Sequence, residues 1–318
     1  MAYTEQEARA LVIKAGHRLL QEKLIARTWG NISARISDTQ FIITPSGRAY
    51  DTLRPEDLVK VNIKYGTAEG NYKPSSEKGV HAVAYQLRDD VDFVIHTHQF
   101  YASAICAADE DTPFAPCAAY GLPGTKKLKN AVAKVIRDNP DHKAFLMARH
   151  GAVCLGTDYD DAFSVVENLE AQCKALFDAR VTMDSTPLES VFSLGNNKDL
   201  PLVRWESDPF SVTWSRRGAP LRAYIDDFAQ MVGYSAPVCK AKPHMAARLI
   251  KRHNAVILTD NGALCTADTA GDALAVSMIL QKNCAAALYA ANSRPLPMAD
   301  AMLQRAVYLK KYSKQKDA

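Results

Sequence analysis

Long apolar runs are missing from this chain. No stretch of it approaches the length of a membrane span, which argues against a helical membrane protein. The start, Met1-Ala2-Tyr3-Thr4-Glu5-Gln6-Glu7, is acidic and has no apolar core, so it does not read as a secretory signal. Cys-x-x-Cys spacing is missing too, which argues against a cysteine zinc site. A dominant charge is also lacking: 39 basic and 35 acidic residues leave a net +4. The small clusters at Lys126-Lys127-Lys129 and Lys310-Lys311 read as solvated surface and tail, with no nucleic-acid footprint. The seven cysteines are odd in number, and Cys106, Cys154, Cys173 and Cys284 sit within apolar runs. That pattern fits reduced, core-packed thiols and a cytoplasmic protein.

What is present is an ordinary globular composition, 47% hydrophobic and 23% charged, over 318 residues. This is enough for one large domain or two ordinary ones. Val94-Ile95-His96-Thr97-His98 is the stretch with the sharpest chemical content. Apolar residues run into two histidines two apart, which in a strand project to the same side and suit one metal ion. Alone, such a pair is as readily two surface histidines at a strand end. Pro74-Ser75-Ser76-Glu77 upstream and Ala148-Arg149-His150-Gly151 downstream change the weighing. Three imidazoles and a carboxylate are the parts of a catalytic zinc site with an open position.

Around these, periodicity predicts the elements. Thr4 with Glu7 has capping-box spacing and opens an amphipathic helix over 5–22. Residues 31–36 and 41–43 read as a hairpin, 58–64 as a strand, and 128–136 as a helix. A buried strand at 144–148 and a second at 152–155 lead into a long helix ending near 180. Lys73-Pro74-Ser75-Ser76-Glu77 reads as the opening of helix 77–88, with Ser75 or Ser76 as cap and Glu77 in its first turn. His81, four residues on, shares the face of Glu77 and reads equally as a partner of the site or as packing. Residues 183–204 are irregular and polar and read as a linker.

Trp29-Gly30-Asn31-Ile32-Ser33, Ile43-Thr44-Pro45-Ser46-Gly47, Pro74-Ser75-Ser76-Glu77, His96-Thr97-His98 and His150-Gly151 occur together in one order. On these motifs, over roughly residues 1–182, the chain resembles the zinc-dependent class II aldolase/adducin-head family. The resemblance implies an α/β fold with a central, mainly antiparallel sheet and helices on both sides. It implies Zn2+ (or another divalent transition metal) on His96, His98 and His150, and Glu77 as the proton-shuttling base. Gly30, Asn31, Ser46, Gly47, Ser75 and Ser76 fall on the positions that bind the substrate phosphate. The related epimerase carries an aspartate as metal ligand where this chain has Glu77, which favours the aldolase side. The implied reaction is reversible retro-aldol cleavage of a ketose phosphate to dihydroxyacetone phosphate and an aldehyde, in a homo-oligomer. Epimerisation, dehydration or decarboxylation at the same site, and a metal-free adducin-like interaction module, are the alternatives. The chain departs from the family over 109–125. Tyr120 matches a Tyr-x-x-x-Gly-Thr element, but the position of the family's acid tyrosine falls near Cys117, leaving Tyr120 and Tyr101 as candidates for the proton donor.

Residues 256–290 echo 145–179 at one constant displacement: Gly151 meets Gly262, Cys154 meets Cys265, Asp161 meets Asp272 and Cys173 meets Cys284. From about 205 to 318 the chain therefore reads as a smaller, degenerate aldolase-like lobe. Asn261 stands where His150 would, so this lobe is expected to bind no catalytic metal.

Overall fold

The computed structural model describes residues 2–22, 24–25, 29–188, 190–194 and 202–311. Packing divides the chain between Ala175 and Leu176 into two compact units.

The first unit begins with helix α1 (Glu5–Gln21). Its entry is the predicted capping box: the Glu7 amide donates to Thr4 Oγ1, and the Thr4 amide donates back to Glu7 Oε2. The elements that follow are β1 (Asn31–Ser37), β2 (Gln40–Ile43), β3 (Val59–Asn62), β4 (Ala68–Glu69), α2 (Lys78–Leu87) and β5 (Phe93–Thr97). Then come α3 (Phe100–Cys106), β6 (Cys117–Ala118), α4 (Lys126–Asp138), β7 (Ala144–Met147), β8 (Gly151–Gly156) and α5 (Tyr159–Arg180). Among the described residues the strands form one eight-stranded sheet in the order β4-β3-β2-β1-β5-β8-β7-β6. Every pairing is antiparallel except β6 with β7.

Helices cover both faces of this sheet, as strand alternation requires. Val94 packs with Phe41, Val61, Phe145, Val153 and Leu155 under α2 and α4. Phe93, one residue away, points to the other face and meets Tyr159 of α5 edge-on at 5.6 Å. Helix α4 contributes Leu128, Val132 and Ile136, four residues apart and fully buried. Each such side chain contributes about 1.5–3 kcal/mol by leaving water.

Two boundaries differ from the sequence reading. Helix α2 starts at Lys78, so Glu77 is its N-cap residue and lies before the first turn. Neither Ser75 nor Ser76 caps the helix. Instead, Ser75 Oγ accepts from the Glu77 amide at 3.2 Å, a local turn that competes with helical geometry. The stretch read as linker also ends early, because a strand begins at Leu202.

That strand is the first of the second unit, whose elements run β9 (Leu202–Glu206), α6 (Pro209–Ser215), β10 (Leu221–Arg222), α7 (Asp226–Met231), β11 (Ser235–Ala236) and β12 (Val238–Lys240). They are followed by α8 (Pro243–Ile250), β13 (Ala255–Thr259), β14 (Ala263–Ala267), α9 (Ala270–Tyr289) and α10 (Met298–Lys311). Four strands pair in the order β12-β13-β14-β9, and β10 pairs separately with β11. This unit is an additional α/β element with its own apolar core around Phe192, Val256, Leu258 and Leu264. No described helix is long and apolar enough to cross a membrane.

Candidate metal centre

The end of β5 carries the site. His96 lies in the strand and His98 just beyond it, on the side of Val94. His150 arrives from the corner between β7 and β8. That corner is tight: Arg149 adopts a left-handed φ of 64°, and the His150 amide donates to the Met147 carbonyl at 3.0 Å. The next residue has to be glycine, because a Cβ on Gly151 would lie 2.4 Å from the Thr97 carbonyl oxygen. The close approach of these two backbones sets His150 beside His96 and His98.

The three rings form a near-equilateral triangle, with centroids 4.6, 5.0 and 4.8 Å apart. One ligand nitrogen from each falls within 4.8 Å of the others, and all three residues are buried. His96 donates Nδ1–H to the Ala152 carbonyl at 2.8 Å, which leaves Nε2 as its lone-pair nitrogen. His96 Nε2 and His98 Nε2 are 2.9 Å apart. Glu77 closes the group: Oε1 lies 2.8 Å from His150 Nε2 and Oε2 3.2 Å from His96 Nε2. Burial alone would raise the Glu77 pKa, but the adjoining His150 and His96 outweigh it and hold the carboxyl well below the usual range. Three imidazole nitrogens and a carboxylate converging in one buried cluster fit a divalent transition metal such as zinc.

The residues expected to hold phosphate gather at the same end of the sheet. Gly30 has φ 83°, and a Cβ there would lie 2.6 Å from the His96 carbonyl oxygen. The loop after β2 and the loop before α2 are tied together. The Ser46 amide donates to the Lys73 carbonyl at 2.9 Å, and the Ser75 amide to the Thr44 carbonyl at 3.1 Å. Gly47, with φ 73°, follows Ser46. Ser46 is partly exposed, Ser76 is exposed, and Ser76 lies beside Gly124. Ser75 is buried, and its hydroxyl is committed to the Glu77 amide. Asn31 is also committed: Nδ2 donates to Glu77 Oε2 at 2.9 Å, and Oδ1 faces His81 Nε2.

Tyr120 follows β6, where the Ala118 carbonyl accepts from the Ala148 amide, two residues before His150. It is partly exposed, with the Lys127 ammonium 5.9 Å from its ring. Tyr101 sits on α3, its amide donating to Glu170 and its ring beneath Lys174.

Sequence reasoning left His81 undecided and did not single out Ser33 or Tyr85, both of which bond to the buried end of this site. The signal was the spacing, with Asn31 and Ser33 two apart and Glu77, His81 and Tyr85 four apart. It also passed over Arg149 and Asp109. Both are left-handed, and they are paired through Nη2 to Oδ2 at 2.6 Å.

Known proteins resemble the first unit of the chain. The 5-deoxy-D-ribulose 1-phosphate aldolase of Bacillus thuringiensis is 33% identical over 177 residues, covering 52% of this chain and 82% of that protein. The 3-oxo-tetronate 4-phosphate decarboxylase of Pectobacterium atrosepticum is 30% identical over 190 residues, covering 55% of this chain and 85% of its own. A solved structure of an L-fuculose 1-phosphate aldolase aligns with a TM-score of 0.51 at 31% identity, covering 54% of this chain and 86% of that one. Residues 10–177 match the family described as Class II Aldolase and Adducin N-terminal domain. On that match, and on relatives covered over most of their own length, this chain belongs to the class II aldolase and adducin family.

Proposed function

We propose that the chain is a metal-dependent lyase that cleaves a ketose phosphate by a retro-aldol reaction, giving dihydroxyacetone phosphate and an aldehyde. The observation that carries this reading is the Glu77 carboxylate lying 2.8 Å from His150 and 3.2 Å from His96 within the histidine triad. His96, His98 and His150 would hold Zn2+. When bound, the ion supplies Lewis acidity to the oxygens at the reacting carbonyl.

The protein's own groups do the rest. In the cleavage direction the hydroxyl at the breaking bond loses its proton. The carbon–carbon bond then breaks, its electron pair passes to the ketone half, and that half takes up a proton at the carbon released. Glu77 carries the proton to and from that carbon, as a general base and acid held at the reacting centre. Tyr120 exchanges the hydroxyl proton. Gly30, Ser46, Gly47 and Ser76 bind the phosphate; Ser75, whose amide and hydroxyl oxygen are already engaged, holds the loop and offers only its O–H, and Asn31 stands at the junction between phosphate and base. The phosphate then positions the bond through remote binding. The decarboxylase named among the relatives supports a second reading, loss of CO2 from a 3-oxo acid phosphate at the same site.

We also propose that the second unit is a degenerate copy of the same fold, acting within a homo-oligomer. The support is its register. Ala144↔Cys154, Phe145↔Val153 and Leu146↔Ala152 recur as Ala255↔Cys265, Val256↔Leu264 and Ile257↔Ala263, each displaced by the same 111 positions. The flanking strands recur in kind, β6 and β12 parallel to the hairpin and β5 and β9 antiparallel to it.

Metal analysis of the purified chain, with turnover assayed on ketose 1-phosphates and 3-oxo acid phosphates, tests the reading. About one metal per chain is expected, following from one histidine triad. A metal-free protein without turnover would instead fit an interaction module.

A further inference from the structure

Two elements of the first unit interlock through a single buried row of polar side chains. Asn31 and Ser33 lie two apart on β1, on the face toward α2. Glu77, His81 and Tyr85 recur every fourth residue along α2 and its cap. The contacts alternate between the elements. Tyr85 Oη meets Ser33 Oγ at 2.7 Å, and Ser33 Oγ meets His81 Nδ1 at 2.6 Å. His81 Nε2 meets Asn31 Oδ1, and Asn31 Nδ2 meets Glu77 Oε2 at 2.9 Å. Ser33 and His81 are 0% exposed, Tyr85 1%, Asn31 4% and Glu77 7%, so water does not substitute for any link.

The chemistry of these groups gives the row one direction. A carboxylate only accepts, so Asn31 must present its amide N–H to Glu77 and its carbonyl to His81. His81 must then donate from Nε2, which leaves Nδ1 as an acceptor. Ser33 donates to Nδ1 and accepts from the Tyr85 hydroxyl. Every group is used, and turning Ser33, His81 or Asn31 around breaks two bonds in a buried place. Burial also pushes the His81 pKa down, to about 3, in keeping with a neutral ring.

We propose that His81 is a positioning residue: through Asn31 it fixes how the Glu77 carboxylate is turned toward His96 and His150. The row ends at Tyr85, so the orientation of the base is anchored two turns along α2 from the metal centre. The catalytic part of this inference rests on the lyase reading; the direction of the row does not. A base misplaced by a fraction of a bond length costs rate more than binding. The role should therefore appear in kcat.

Two measurements on the intact chain separate these claims. Ring-nitrogen NMR of 15N-histidine-labelled protein should find His81 as the neutral Nε2–H tautomer; the Nδ1–H tautomer would overturn the proposal. In kinetics, His81→Phe should lower kcat roughly 10- to 100-fold, the range seen when a partner behind a metal-site group is removed. KM and metal content should stay within about twofold, the mark of an interaction made only in the transition state. His81→Gln, which restores an N–H toward Asn31, should recover most of the loss. Should His81→Phe fail to fold, Tyr85→Phe and His81→Gln carry the test, Tyr85→Phe giving a smaller loss of kcat of the same kind. Wild-type kcat in the folded His81→Phe protein, or in Tyr85→Phe where that variant stands in for it, sinks the idea, as does metal lost in step with turnover. If the wild-type chain turns over no phosphorylated substrate, the lyase reading falls, and the tautomer still decides the direction of the row.

Discussion

The corner at Ala148–Gly151 and the corner at Thr259–Gly262 are nearly the same backbone with different chemistry. Each joins two antiparallel strands in matched register. Each turns through a left-handed residue, Arg149 at φ 64° and Asp260 at φ 59°, and the second corner adds a left-handed Gly262 at φ 74°. In each, the amide of the next residue reaches back three positions, His150 to Met147 and Asn261 to Leu258. In each, a glycine presses on a neighbouring strand, its missing Cβ 2.4 Å from the Thr97 carbonyl oxygen in one case and 2.0 Å from that of Glu206 in the other. The side chains part company. Register sets Trp205 against Leu264 where His96 stands against Val153. Trp205 donates its indole N–H to the Asn261 carbonyl at 2.9 Å, so the second corner is closed by a side chain bonding to its backbone where the first carries a triad. The difference teaches that one kind of hairpin corner, with its glycine, occurs in this chain both with and without a histidine triad beside it.

Changing His150→Asn gives the first corner the residue of the second and is the strongest way to break the comparison. Metal affinity should fall by more than about 100-fold, beyond the upper end of the cost of losing an outer-shell partner, and turnover with it. Metal analysis after dialysis reads this directly. Glu77→Gln makes a cleaner cut: metal stays near the wild-type level while turnover drops about 10²–10⁴-fold, the usual worth of a general base. Turnover surviving that change would remove Glu77 from its role.

Gly151→Ala and Gly262→Ala test whether the two backbones are equally constrained. Gly151→Ala should cost about 1–3 kcal/mol from overpacking against a carbonyl, and Gly262→Ala more, because its φ of 74° adds backbone strain. Thermal melts should show both losses, and only Gly151→Ala should also weaken metal binding. The gentlest comparison is Cys154→Ala against Cys265→Ala. Both thiols are fully buried at matching register positions. Each should cost about 0.5–1.5 kcal/mol, as for other small deletions in a core. Unequal costs in denaturant titration would show that the two cores are packed differently despite their shared register.

Much of this was legible from spacing. The period of two at His96 and His98, the apolar run before them and the capping box at Thr4 follow from local rules, and local rules decide those places. Glu77 was found, but its place before the helix was not, because the Ser75 hydroxyl takes the Glu77 amide and delays the first turn. The first three residues of β9 were read as linker because of the strand's outer face: Leu202 is 52% exposed and Arg204 interrupts the apolar residues, while Val203 and Trp205 pack inward. The double use of Asn31 was invisible, since nothing in a single strand shows what a distant helix will present to it. Tyr120 remains tied to the site through the proposed mechanism, its segment being where the family pattern thins.

Gly30 and Gly151 flank the last residues of β5 like the jaws of a vise, one against the His96 carbonyl and the other against that of Thr97. A ligand-bearing strand gripped on both sides by bare backbone has little room to wander. Its imidazoles are therefore aimed by the polypeptide itself, and an arriving ion would find its seat already shaped and need spend little binding energy on arranging it.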